Sequence, residues 1–440
     1  MAASVFASPL LGKLFGTSDI GRLWSDNADV RAMLLVEGAL AKVQGAQGVI
    51  PEISAAFIHR SSLEVQIDPA GLADSTATNG VCVPGLVAAF RTAMEAPEHA
   101  QYAHWGATSQ DIIDTALMLR LRQTLATQEE VLRAVLRLMA QQAKEHADTP
   151  MAARTYGQHA TVTSWGAVLA QWGDPLADAL EALPAVRASS LWVSLSGAAG
   201  TASALGPEAA ATRAALAEAL GLGDPGRSWH TDRGPVLRIA DWMTGVTANL
   251  AAFGNSLIGL TGSDTAEVSL GGAGASSTMP QKQNPVAPSV LVALNNQMTG
   301  LCASLQTASA HQYQRDGAAW FTEWMVLPQI ALSSACALET ARALMEGLGP
   351  DSARMRAHVD GLGLMHAEAL SFALTAKMTR TEAQAAAKAL VAKAMSEGLS
   401  LRAVAQAAHP ELSDDLFDPA RQMGLAPDAA RTFANKVSDL

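Results

Sequence analysis

The chain has 440 residues, of which 49% are hydrophobic and only 16% are charged, whereas about 25% charge is usual for a soluble domain. Its 41 acidic and 30 basic residues give a net charge of −11, which argues against a nucleic-acid-binding surface because phosphate contacts need clustered Lys and Arg. Intrinsic disorder is also disfavoured, since disordered chains are rich in charge and poor in apolar residues. Aromatic residues make up only 5%, which favours helices over strands.

The first predicted elements are short helices and turns that extend to about residue 98. Residues 34–43 carry a helical stripe of apolar side chains, and residues 48–51 form a turn. The segment from Thr108 to Asp111 then matches a capped helix start, with a hydroxyl at the first position and a carboxylate three residues later. The apolar periodicity that follows predicts a long helix to about Ala147.

Further long helices are predicted, separated by glycine-rich loops. A second long helix is expected to begin after Thr161 and to be kinked or ended by Pro175 and Pro184, because proline lacks the N–H that a helix interior uses. Pro285 and Pro288 suit the first turn of a later helix. Two more helices are predicted over residues 236–260 and 327–348. Loops are predicted at residues 196–200, 221–226 and 271–277.

Three long stretches of the chain contain no charged residue. No Asp, Glu, Lys or Arg occurs between Arg154 and Asp174, from residue 242 to 263, or from residue 283 to 314. The last two stretches carry several Asn, Gln, Ser and Thr residues, a polar load that a lipid-facing helix does not carry, so we expect no membrane span. Uncharged helices are contacted by other helices on every side, which favours a bundle built from several chains over a dry core within one chain.

The composition changes after residue 350, where lysines return and the predicted helices become short and amphipathic. We therefore divide the chain into an N-terminal helical domain (1–105), a central long-helix bundle (106–349) and a C-terminal helical domain (350–440). The three cysteines lack CxxC spacing, so we expect neither a disulfide framework nor a zinc site. The N-terminus shows no basic region ahead of an apolar stretch. Together these features predict a cytoplasmic protein.

The most specific stretch is residues 276–285, Ser-Ser-Thr-Met-Pro-Gln-Lys-Gln-Asn-Pro. It follows a glycine-rich segment and precedes a predicted helix N-terminus, whose N–H groups and dipole attract anions. Lys282 and Asn284 lie two residues apart and can hold one carboxylate together. From the residues alone, a flexible linker that ends in a helix cap is the alternative.

The same stretch resembles the signature loop of the fumarase/aspartase superfamily, G-S-S-x-M-P-x-K-x-N-P, from which only Ala275 departs. The resemblance implies that Ser276 is the catalytic proton-transfer residue. It implies that Lys282, also catalytic, holds a substrate carboxylate together with Asn284. The remaining loop residues that it places at the substrate are Ser277 and Met279.

The resemblance also implies a fold and an assembly. The expected fold is all-α and fumarase/aspartase-like, with a central bundle of long helices that assembles into a tetrameric helical core and with smaller helical domains at both ends. The expected partners are a small-molecule polycarboxylate and three further copies of the chain, since superfamily sites are built from three chains. No cofactor is implied, and the histidines lack the HxxxH spacing of a metal site.

Residues 104–111, His-Trp-Gly-Ala-Thr-Ser-Gln-Asp, resemble the first block of the superfamily, H-x-G-x-T-S-x-D. The resemblance implies that His104 contacts substrate and that Thr108 and Ser109 bind a carboxylate at the helix N-terminus. Simple helix capping by the two hydroxyl residues, and a structural role for the histidine, are the alternatives.

Residues 154–160, Arg-Thr-Tyr-Gly-Gln-His-Ala, resemble the second block. In the adenylosuccinate and argininosuccinate lyases this block carries a histidine that acts as an acid, and here that position is Tyr156. The resemblance places Arg154, Gln158 and His159 at the substrate, although a structural role for His159 is the alternative.

Within the superfamily the chain resembles the bacterial 3-carboxy-cis,cis-muconate cycloisomerases over nearly its whole length. The segments at residues 229–233 and 315–320 carry this resemblance and add Arg233 and Arg315 to the expected substrate-binding residues. The chain departs at Gln281, where these enzymes commonly have His. It also departs in residues 311–316, where amides replace carboxylates.

The residue at position 156 also bears on whether the reaction is amine elimination or lactonisation. A lyase that expels an amine often needs a general acid, whereas in lactonisation the substrate's own carboxylate adds to the diene and needs no proton. Tyr156 therefore favours a cycloisomerase that converts 3-carboxy-cis,cis-muconate to carboxymuconolactone, in the protocatechuate branch of the β-ketoadipate pathway. The alternative is a lyase of the same superfamily that eliminates an amine or similar group from a substituted succinate. A silent helical scaffold is disfavoured because Ser276, Lys282 and Asn284 are all present.

Overall fold

The structure, a computed structural model, describes residues 4–272, 274–275, 279 and 282–440. Most of these residues lie in helices, which confirms the all-α prediction. The chain divides into two compact units. The first comprises Met1–Val131, Ala182–Ala248 and Ala293–Glu339, and the second comprises Leu132–Glu181, Asn249–Val292 and Thr340–Leu440. The division into domains at residues 105 and 349 stays a prediction.

The described elements are mainly α-helices with a few short strands. The helices are α1 (Ile20–Leu23), α2 (Asp26–Ala46), α3 (Glu52–Glu64), α4 (Ala73–Asn79), α5 (Val83–Ala93), α6 (Pro97–Ala100), α7 (Ser109–Glu145), α8 (Trp165–Ala188), α9 (Ala209–Leu220), α10 (Gly234–Leu260), α11 (Val286–Ala308), α12 (Gly317–Gly347), α13 (Ser352–Asp360), α14 (Ala367–Ala373), α15 (Arg380–Glu397), α16 (Leu401–Ala408), α17 (Pro419–Gln422) and α18 (Ala426–Asp439). The strands are β1 (Pro150–Thr155), β2 (Gln158–Ser164), β3 (Val268–Leu270), β4 (Gly274–Ala275), β5 (Gln283–Asn284) and β6 (Leu348–Pro350).

The long helices confirm most of the predicted ones. Helix α7 begins and ends within two residues of its predicted limits, and α10 begins two residues early. Helix α11 begins directly after Pro285 and carries Pro288 in its first turn. Helix α12 begins ten residues earlier than predicted and contains Pro328. Among the described residues, no helix combines the length and apolarity needed to cross a membrane.

The second long helix begins at Trp165, a few residues after its predicted start, and Pro175 and Pro184 do not end it. Residues 158–164 form a strand rather than the start of the helix, because the β-branched run from Thr161 to Thr163 favours extended backbone. Helix α8 then continues through Pro175 and Pro184 to Ala188. Leu176 and Leu180 are at most 3% exposed, so packing of the apolar helix face offsets the hydrogen bonds that the prolines cannot make.

In the first unit, one hydrophobic cluster joins α2, α3, α5 and the beginning of α7. Leu34, Ile58, Phe90 and Ile112 belong to it, and each is at most 1% exposed. Helices α2 and α3 approach closely at Gly45, where an added Cβ would lie 2.3 Å from the Cβ of Ala55. This core fixes the end of α7 that carries the first sequence block.

Within the described part of the second unit, the strands pair into three two-stranded sheets. Strands β1 and β2 form an antiparallel hairpin, β3 pairs with β6, and β4 pairs with β5. The hairpin buries Val162 against Val359 and Met423. Gly271 packs against the backbone of Gly347, so that an added Cβ would lie 2.9 Å from that residue's Cα. The C-terminal helices bury a separate cluster of apolar residues that includes Leu370, Ala383 and Leu401.

Candidate active site

In the first unit, a buried carboxylate organises the N-terminus of α7. Asp111 is 0% exposed, and its Oδ2 accepts hydrogen bonds from the backbone N–H groups of Thr108 (3.0 Å) and Gly197 (2.9 Å). Its Oδ1 accepts from the N–H of Ser196 and lies 2.8 Å from Nε2 of His230. The carboxylate therefore holds the loop at residues 196–197 against the helix start, as expected for an acidic residue in the first turn.

Thr108 and Ser109 are half-buried at this helix start. The side chain of Asp111 caps the Thr108 N–H, which is one half of the predicted reciprocal cap. The first N–H groups and hydroxyls of a helix can bind a carboxylate, and the binding of substrate by Thr108 and Ser109 stays a prediction.

Arg315 lies beside the same helix start. Its Nε donates to Oε1 of Gln110 (2.8 Å), and its guanidinium also donates to the carbonyl of Ala198 (3.2 Å). The side chain of Arg315 is exposed. The first unit therefore brings this cation to the end of α7 that carries Thr108 and Ser109. The sequence block contains Gln110 but does not indicate its contact with Arg315.

Arg233 is buried between two carboxylates. Its guanidinium donates twice to Asp114 (2.9 and 3.0 Å) and twice to Glu323 (2.8 and 2.6 Å). Burial lowers the pKa of Arg233, but the two carboxylates raise it by more. Burial raises the pKa of Glu323 in spite of the neighbouring cation. The guanidinium of Arg233 thus donates four hydrogen bonds within the protein. Its predicted contact with substrate stays a prediction.

His104 is held by a carboxylate that the sequence did not indicate. Its Nδ1 lies 2.6 Å from Oε1 of Glu37, which is 1% exposed. Burial lowers the pKa of His104, but the Glu37 carboxylate raises it by more, so the pKa lies above its ordinary value. The backbone at His104 has a φ of +64°, an uncommon conformation outside glycine. Glu37 thus holds the imidazole in place four residues before Thr108.

In the second unit, the second sequence block forms the tip of the β1–β2 hairpin. Tyr156 and Gly157 make the two-residue turn with φ of +52° and +75°, as in a type I′ turn. Tyr156 is fully exposed. Gln158, which is exposed, lies opposite Thr155 in the hairpin. The predicted substrate contact of Gln158 stays a prediction.

Below the turn, the hairpin brings Arg154 and His159 together. The two residues are cross-strand partners, next to a bulge at residues 152–154, and the Arg154 guanidinium lies 3.3 Å from Nε2 of His159. Burial and the neighbouring Arg154 lower the pKa of His159. A guanidinium can only donate hydrogen bonds, so Nε2 of His159 is the acceptor in this contact.

The signature stretch is closed at its base by strands β4 and β5. Gly274 pairs with Asn284, and an added Cβ on Gly274 would lie 2.8 Å from Cγ2 of Val286. Lys282 is exposed and its N–H donates to the carbonyl of Met279 (3.0 Å). Asn284 is half-buried and Met279 is 42% exposed. Their predicted roles stay predictions, and Ser276 and Ser277 lie outside the described residues.

Comparison with known proteins identifies the family. Residues 7–300 match the profile of the lyase family. The chain is 36% identical over 439 residues to the 3-carboxy-cis,cis-muconate cycloisomerase of Pseudomonas aeruginosa, covering 96% of this chain and 95% of that protein. It is 32% identical to the nitrosuccinate lyase of Streptomyces davaonensis, covering 97% and 94%.

A solved structure gives the same result for the fold. The 3-carboxy-cis,cis-muconate lactonizing enzyme of Pseudomonas putida superposes with a TM-score of 0.92 at 33% identity, covering 98% of this chain and 99% of that one. Sequence and fold therefore agree over nearly the full length of the chain. The chain belongs to the lyase family of the fumarase/aspartase superfamily, as its signature stretch predicted.

Proposed function

We propose that this protein is a cycloisomerase that converts 3-carboxy-cis,cis-muconate to carboxymuconolactone by intramolecular addition of a carboxylate. The relatives with this activity in their names are similar to it over nearly its full length. The reaction belongs to the protocatechuate branch of the β-ketoadipate pathway. The three cysteines form no disulfide, which suits the reducing cytoplasm, where we place the enzyme.

The observation that carries the proposal is that Tyr156 occupies the position of the acid and that His159 accepts a hydrogen bond from Arg154. The acidic position of the amine-expelling lyases is Tyr156, which stands fully exposed on the hairpin tip. The nearby His159 accepts from Arg154 and cannot serve as a cationic acid in this arrangement. A carboxylate nucleophile needs no proton when it adds to the diene or leaves, so lactonisation suits this hairpin better than amine expulsion does.

The proposed reaction needs residues that bind the substrate carboxylates and one residue that transfers a proton. Lys282 and Asn284 hold one substrate carboxylate. Thr108, Ser109 and Arg315, contributed by a different subunit of the proposed tetramer, hold another at the N-terminus of α7, where donors and positive charge converge. The third carboxylate adds to the diene, and Ser276 protonates the resulting carbanion. Fixed donors matter because preorganised charge stabilisation is usually the largest contribution to catalysis.

The first prediction is that the purified protein consumes 3-carboxy-cis,cis-muconate without any added cofactor. The conjugated diene is lost on lactonisation, so its ultraviolet absorbance should decay in proportion to enzyme concentration, and proton NMR should identify the lactone. Substituted succinates serve as the control substrates. Elimination from nitrosuccinate or an amino-substituted succinate, with no loss of the diene, would contradict the proposal and support the alternative lyase.

We further propose that the enzyme is a homotetramer assembled through α11 and through the uncharged part of α10 that follows Asp241. Small uncharged residues recur on the exposed face of α11 at alternating spacings of three and four, namely Ala293, Asn296, Gly300, Ala303 and Thr307. On α10, Gly245 and Gly259 are exposed with open space around their Cα atoms. Small, uncharged stripes of this kind allow close helix packing without burying a charge.

The second prediction concerns this face. Ala303→Arg places a cation on the α11 stripe and is expected to reduce the tetramer to smaller species, because a buried unpaired charge is costly. Size-exclusion chromatography with light scattering measures the mass. Ala385→Arg, at an exposed position of α15, is the matched control and should leave the mass unchanged. A tetrameric Ala303→Arg variant would exclude this face from the assembly.

A further inference from the structure

Glu267 places a fully buried carboxylate beneath the β1–β2 hairpin. It is 0% exposed, and its backbone is held at both ends. Its N–H donates to the carbonyl of Leu260 (3.0 Å), and its carbonyl accepts from the N–H of Asp351 (2.8 Å). The residue therefore stands at a fixed point between the end of α10 and the start of β3.

The carboxylate of Glu267 contacts two side chains that extend toward the surface. Oε2 forms an ion pair with Arg154 at 2.9 Å, and Oε1 lies 2.6 Å from Nδ1 of His358 on α13. The side chains of Arg154 and His358 are 22% and 19% exposed. A buried carboxylate is costly unless it is paired, so Glu267 restrains the positions of both partners.

These contacts continue to His159. Arg154 lies 3.3 Å from Nε2 of His159, and the rings of His159 and His358 have centroids 5.7 Å apart. Arg154 and His358 thus both lie next to His159, and both are held by Glu267. Arg154 also lines a cavity of about 570 Å³ together with Gln171, Trp172 and Asn255.

We propose that Glu267, together with His358, is a positioning residue that fixes the Arg154–His159 pair for binding the polycarboxylate substrate. The inference rests on the proposed function. Glu267 does not touch substrate; it holds Arg154, and Arg154 keeps Nε2 of His159 as an acceptor. The proton of His159 then resides on Nδ1, where the neutral ring offers an N–H donor to a substrate carboxylate.

The kinetic test is Glu267→Gln, which removes the charge and keeps the size. We expect KM for 3-carboxy-cis,cis-muconate to rise about 10-fold, equivalent to about 1.4 kcal/mol of binding, while kcat changes less than about 3-fold, because the groups that transfer the proton are not altered. In an Arg154→Ala background the same change should have little further effect on KM, because Glu267 acts on the site through Arg154 and coupled residues are non-additive. Independent, additive effects would overturn the inference.

A substrate-free measurement separates this inference from the proposed function. With ¹⁵N-labelled histidine, NMR of the wild type should show an unprotonated Nε2 on His159, and Glu267→Gln should convert this to a mixture of tautomers. The charged or titratable groups that act on His159 are Arg154, His358 and Glu267. If the wild type does not consume carboxymuconate, the proposed function fails while the tautomer still reports on positioning. An unchanged tautomer in the variant would overturn the positioning role.

A second variant keeps the test decisive if Glu267→Gln fails to fold. His358→Gln alters the partly exposed partner of Glu267, and we expect KM to rise as it does in Glu267→Gln. His409→Gln is the matched control, because His409 lies 3.8 Å from the surface residue Glu411 and outside the hairpin cluster. Equal KM values for the two histidine variants would contradict the proposal.

Discussion

Replacement of Ser276 by alanine is expected to lower kcat by about 100- to 10,000-fold, the range of general acid–base contributions. The superfamily signature assigns this serine the proton transfer, and alanine has no hydroxyl with which to protonate the carbanion. KM should change much less, because Lys282 and Asn284, the residues proposed to bind the carboxylate, are unchanged. The rate of loss of the diene absorbance measures the effect.

Two controls make the Ser276 result specific. Ser396→Ala removes an exposed hydroxyl that only donates to the carbonyl of Lys393 on α15, and we expect unchanged turnover. The Ser276→Ala protein should also retain the wild-type mass in solution, since a small change in the signature loop leaves the helices unaltered. Turnover within a few-fold of wild type would exclude Ser276 as the proton donor.

Replacement of Arg233 by methionine is expected to reduce the free energy of unfolding by about 3–5 kcal/mol, the usual cost of removing one partner from a buried ion pair. The reason is that Asp114 and Glu323 would stay buried without their shared cation. Urea denaturation followed by circular dichroism measures the change. Arg356→Met removes a surface pair with Asp360 in which both side chains are about half exposed; it is the control, with an expected cost below about 1 kcal/mol.

The loss of stability in Arg233→Met should depend on pH in a defined direction. Burial already raises the pKa of Glu323 in the folded protein, and loss of Arg233 removes the charge that opposes this shift. The folded variant then binds more protons than the unfolded chain, so its stability falls as pH rises above the ordinary carboxyl range. The deficit relative to wild type should therefore be smaller near pH 5 than near pH 7.5. A deficit that is larger at pH 5 would contradict this explanation.

The sequence predicted the helices where the determining signals are local. The limits of α7 follow from the cap formed by Asp111 at Thr108 and from a continuous apolar periodicity, both readable within a few residues. The hairpin was missed because its turn places a non-glycine residue, Tyr156, at positive φ. That conformation has no reliable sequence signal at tyrosine.

For the candidate site too, the sequence predicted what local patterns encode and missed what long-range packing creates. The sequence by itself determined the family and the residues of its motifs, because Ser276, Lys282, Asn284, Thr108 and Ser109 lie in short contiguous patterns. Only the tertiary structure decided which buried carboxylates contact the histidines near these motifs. Glu37 meets His104 across 67 positions of the chain, and Glu267 meets His358 across 91. No local pattern marks such pairs, because their geometry arises from packing that brings distant segments into contact and leaves each buried carboxylate in need of a partner.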